Sequence, residues 1–108
     1  MVPTGSQPVA EVVVDHEREA ANGWVFGVLV RRPGSTESRH DVSLSWVDYE
    51  HWSHGAAAPE RVARAVVECL LASAPDRTLP SAFDASTARR WDRGLDEAVR
   101  SSIGPGTP

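Results

Sequence analysis

The chain predicts an α+β fold: a three-stranded antiparallel β-meander followed by a short helical turn and two α-helices packed on one sheet face. Three observations lead there. Apolar residues alternate with a period of two over residues 24–32 and 40–47, the signature of strands. Asn22-Gly23 stands before the first of these runs, and that dipeptide favours tight hairpin turns because both residues tolerate positive φ. From residue 59 onward apolar residues recur every three or four positions, which is the helical period.

Residues 9–19 are β-prone and make the first strand, folded back on the second by the Asn22-Gly23 turn. Strand two, residues 24–32, is apolar on both alternating sets, with Trp24, Phe26, Val28 and Val30 on one face and Val25, Gly27 and Leu29 on the other. Such two-sided apolarity suits a central strand. Residues 33–38 read as a polar loop. In strand three Val42, Leu44 and Trp46 alternate with Asp41, Ser43 and Ser45.

A loop that pairs Arg32 with Arg39 sets Leu29 against Val42, Gly27 against Leu44 and Val25 against Trp46. The expected core face is then Val25, Leu29, Val42, Leu44 and Trp46, joined by Val12 and Val14 from strand one, with Gly27 leaving room for larger neighbours. The same register puts Trp24, Phe26, Val28 and Val30 on the opposite face, between Ser43 and Ser45 on one side and Asp15, Glu17 and Glu19 on the other. A slip of one residue would exchange the faces.

Asp48 is the expected N-cap of a short helical turn over residues 49–54, closed by Gly55. Pro59 suits the first position of a helix, where its missing N–H is no loss, and that helix runs to about Ser73. Glu60, Arg64 and Glu68 form an i, i+4 ladder beside an apolar surface of Val62, Ala65, Val66, Cys69, Leu70 and Ala72. Leu79-Pro80 makes a turn anchored by Phe83. Asp84 or Ser86 then caps a last helix whose apolar positions are Ala88, Trp91, Leu95, Ala98 and Val99, with Gly94 as a kink.

A length of 108 residues suits one core. We expect a single domain over residues 9–103, with flexible tails rich in Pro, Gly, Ser and Thr at 1–8 and 104–108. All eleven Lys-plus-Arg residues are arginine, which with the many alanines suggests a GC-rich, bacterial coding sequence. Residues 1–8 lack the charged start and apolar run of a secretory signal, no apolar run approaches the roughly 20 residues of a membrane span, and a lone Cys69 cannot form an internal disulfide. The expectation is a cytoplasmic protein without membrane contact.

No G-x-S-x-G elbow and no phosphate-cradling glycine loop is present, so no cofactor is expected. Cys69 lies on the apolar side of a helix, where a thiol is inert. Asp15, Glu17 and Glu19 alternate along a strand, but neighbours on one face are about 6.8 Å apart, too far for three to converge on one cation. They read as an acidic stripe. The net charge is −4, which disfavours nucleic acid.

The remaining signal is apolar. Trp24, Phe26, Val28 and Val30, if open, would make a patch of a few hundred Å², a size that calls for a partner. The expectation is a small non-catalytic protein-interaction module of the antitoxin or immunity, adaptor or accessory-subunit kind. It would bind a protein partner or a second copy through those four residues, with Glu17 and Glu19 as an acidic rim. Two alternatives stand beside it. One is a metal-dependent enzyme built on His40, His51 and His54 with a carboxylate such as Glu50. The other is a DNA-binding regulator using Arg31, Arg32 and Arg39 around the Pro33-Gly34 loop.

Overall fold

The computed structural model describes residues 10–34 and 37–103; the tails expected at 1–8 and 104–108 lie outside the described residues. Strands β1 (Glu11–Ala20) and β2 (Gly23–Arg31) form an antiparallel hairpin, and β3 (Ser38–Ser45) pairs antiparallel with β2. The chain then passes through helices α1 (Trp46–Ser53) and α2 (Pro59–Ser73) and returns as β4 (Ala82–Asp84), parallel to β3. Helices α3 (Ala85–Trp91) and α4 (Leu95–Ile103) follow.

Among the described residues the molecule is therefore a four-stranded mixed sheet, order β1-β2-β3-β4, with four helices. This corrects the expected three-stranded antiparallel meander with a helical turn and two helices. A parallel neighbour needs a crossover, here supplied by α1 and α2, and three residues are too few to carry an alternation of their own. The expected last helix is two helices because Asp92 leaves the helical region at φ −147°. Its carboxylate accepts from Ser73 Oγ at 2.6 Å and from the Gly94 N–H at 3.0 Å. Gly94 thus belongs to a break, not a kink.

The register also differs from expectation. Arg39 faces Leu29, three positions short of Arg32, so that Phe26 opposes Val42 and Trp24 opposes Leu44. An odd shift exchanges the faces. Phe26, Val28, Val30 and Val42 are 0% exposed and Leu44 1%, packed with Val62, Val66 and Leu70 of α2 in one core. The observed pairing gathers the bulkier apolar set under the helices, and burial is favourable by about 25 cal/mol per Å². Val25 and Leu29 are half-buried on the other face, while Trp46 has left the strand altogether.

A bulge between Val14 and His16 changes the parity of β1. It places Val12 and Val14 beside Val30 and Val28, and also Glu17 and Glu19 beside Phe26 and Trp24. The extra residue serves the helix-free face. Asp15 reaches over β2 to an ion pair with Arg39 on β3, and Gly27 is the residue crossed. A Cβ there would lie 3.1 Å from His16 Cβ and 3.3 Å from Asp15 Oδ1. Arg31, held by Glu37 at 2.6 Å and Glu11 at 3.3 Å, adds to this charged cover. The turn itself is Ala21-Asn22, neither at positive φ, rather than Asn22-Gly23.

Candidate functional site

Phe26, Val28 and Val30 have no surface to offer a partner, because the register has turned them inward. Trp24 is half-buried at the end of the same row, and Glu17 and Glu19 are exposed. The open apolar surface lies instead on α1, where Trp46 is 57% and Val47 77% exposed.

Ser45 is what puts them there. Its side chain accepts the Asp48 N–H at 3.1 Å, capping the helix, so Asp48 sits within the first turn and is not the expected N-cap. The chain stops being a strand at Ser45, and α1 ends at His54 (φ 50°) followed by Gly55 (φ 79°). Trp46, Val47, Glu50, His51 and His54 line one outward side of the helix, an open groove of about 560 Å³. Ser45 three positions before Asp48 resembles a capping-box spacing, a signal that would have removed Trp46 and Val47 from strand three.

The patch is held from behind. The Trp46 N–H donates to the carbonyl of Asn22 in the hairpin turn at 2.8 Å. The Trp24 ring packs edge-on against both Trp46 and Tyr49, at centroid distances of 6.4 and 5.5 Å, while Tyr49 donates its hydroxyl to the Ala57 carbonyl at 2.5 Å. Glu19 is the cross-strand neighbour of Trp24, which brings the acidic tip of β1 beside these rings.

At the other end of the groove a polar cluster ties α1 to α3 and α4. Asp96 accepts from Trp52 Nε1 at 2.8 Å and from Arg89 Nε and Nη2 at 3.0 and 3.1 Å. Arg89 also donates to Asp48 at 3.3 Å and lies over the Trp52 ring, 5.7 Å from its centroid. Partial burial pushes the Asp96 carboxyl up, but the hydrogen bonds from Arg89, Trp52 and His51 with the Arg89 charge outweigh it and hold the group below its ordinary value. His51 Nε2 lies 3.3 Å from Asp96, 3.0 Å from Arg100 Nη2 and 3.2 Å from Arg89 Nη2. The imidazole thus stands where α1, α3 and α4 meet and braces the three helices.

Compared with protein-family models, curated proteins and solved structures, the chain matches none. The site must be judged on its geometry.

That geometry does not assemble the alternative sites. His40 is 5% exposed on β3, away from His51 and His54 on α1. Pro80 O lies 2.6 Å from His40 Nδ1 and can only accept, so Nδ1 carries the proton and Nε2 accepts from Ser38 Oγ at 2.8 Å. Both ring nitrogens are used to fix the chain leading into β4. Among the described residues no group of three His, Cys, Asp or Glu could hold a metal ion. The three arginines of the DNA reading are likewise committed. Arg31 and Arg39 are in ion pairs, and Arg32 donates to the Arg77 carbonyl at 2.7 Å. Cys69 is half-buried and free, and burial raises its thiol above the ordinary value. No helix among the described residues is long and apolar enough to cross a membrane.

Proposed function

We propose that this chain is a non-catalytic protein-interaction module, and that its contact surface is the outward side of α1 and not the sheet face. The observation that carries this reading is the exposure of Trp46 and Val47, at 57% and 77%, beside a groove lined by Glu50, His51 and His54. Tryptophan is enriched at the energetic centres of interfaces. Here it stands on a braced helix and can dock with little loss of freedom, which favours affinity. The commitment of His40, His51 and the three arginines to structural bonds supports the same reading over the metal and DNA alternatives.

A photo-crosslinking residue placed at Val47 tests it. The reading expects a discrete cross-linked protein that is identified, purified and rebound in vitro, with binding lost in Val47→Asp and kept in Asp76→Asn on a remote loop. A partner that binds Val47→Asp as well as the parent would refute this surface.

A further inference from the structure

We infer that the occupant of the α1 surface is a short, positively charged segment of another protein, bearing Arg or Lys beside an apolar anchor. This rests on reading that surface as a contact site and adds the chemistry of the partner.

Carboxylates stand beside the Trp24–Trp46 pair. Glu50 lines the groove itself, Glu19 is the cross-strand neighbour of Trp24, and Glu17 follows on the same face. None of the three is in an ion pair among the described residues. Arg89 is held by Asp48 and Asp96, and Arg18 sits opposite Val25 on the other sheet face. Arg100, bonded to His51, lies at the end of the groove away from Trp46. An incoming guanidinium or ammonium would meet the open indole of Trp46, an attractive surface for a cation, with unmatched negative charge behind it. Complementary charge of this kind steers association and selects partners.

A second copy fits poorly. Two exposed side chains present at most a few hundred Å², against about 800 Å² per partner in a stable dimer. A two-fold contact would also set the patch against itself, bringing the Glu50 carboxylates and both acidic tips together. A peptide-sized segment needs less area and supplies the missing sign.

The test uses the full chain, isotope-labelled at tryptophan, and three synthetic peptides of equal length and equal leucine content that differ only in carrying Arg, Gln or Glu. The Arg peptide is expected to move the Trp46 indole N–H resonance. Its affinity should fall about five- to tenfold in the Glu17→Gln, Glu19→Gln double variant, as two rim charges allow, and fall again with added salt. Glu60→Gln on α2 should leave it unchanged, and all these exposed variants should keep the parent's circular dichroism. A Gln or Glu peptide that binds at Trp46 as well as the Arg peptide would overturn the charge inference while leaving the contact surface in place. A Trp46 resonance that moves with protein concentration alone would overturn it in favour of a second copy. If no peptide moves Trp46 the inference falls, and the Val47 cross-linking result then decides whether the surface falls with it.

Discussion

Asp96 is the residue on which the helical layer turns. It receives the buried indole N–H of Trp52 and two guanidinium nitrogens of Arg89, so replacing it leaves donors unpaired. Asp96→Ala should cost roughly 1–3 kcal/mol, measured by urea unfolding. Its carboxyl is held below the ordinary value when folded. The stability it contributes is therefore present above about pH 4, the unfolded value, and is lost as pH falls through the folded one. The gap in Tm between the parent and Asp96→Asn should accordingly hold from pH 7 down to about pH 4 and narrow as the pH falls further; a gap that stays constant would assign the cost to shape rather than charge. Phe26, fully buried, should cost about 3–5 kcal/mol as Phe26→Ala. The apolar character of Phe26, Val28 and Val30 was legible in the sequence. Their direction was not, because a strand apolar on both sides has no preferred side until its neighbour's register is set, and that depends on a loop of unknown geometry.

At the scale of elements, part of what the sequence announced through local chemistry is kept, although the Asn22-Gly23 turn and the Asp48 cap are not. Pro59 opens α2 and Asp84 caps α3 through the Ser86 N–H. What was missed lies at junctions. Trp46 continues the alternation of strand three yet begins a helix, because the Ser45 cap outweighs one further strand position. Ser45→Ala should remove about 1 kcal/mol, lower Tm by a few degrees and loosen the first turn of α1. Trp46 fluorescence would then shift ahead of the global transition. Gly23 lies where β2 passes tightly against β3, and a Cβ there would run into the Leu44 carbonyl oxygen. Since that contact is backbone and cannot swing aside, Gly23→Ala should destabilise more than Gly27→Ala, whose neighbours are side chains able to give. Thermal melts of the two variants decide this directly.

Across the molecule, the four helices of the described residues all follow the hairpin in the chain, and the surface of α1 exists only where two distant parts of the chain meet. The Asn22 carbonyl holds the Trp46 amide and Trp24 backs its ring, so neither the hairpin nor α1 alone carries the site. This is why the site was not legible locally: the sequence shows four tryptophans and not which one ends in water. Val47→Asp, at a position 77% exposed, should change stability by less than about 0.5 kcal/mol, separating a role in contact from a role in folding. The order β1-β2-β3-β4 leaves β1, ten residues long, at one margin of the sheet. Its outer backbone groups are a template on which foreign strands could grow. The kink at Asp15 and the run of Glu17, Arg18 and Glu19 spoil that template, so the charges that would greet a visitor at the tip also keep neighbouring molecules from zipping together into fibrils.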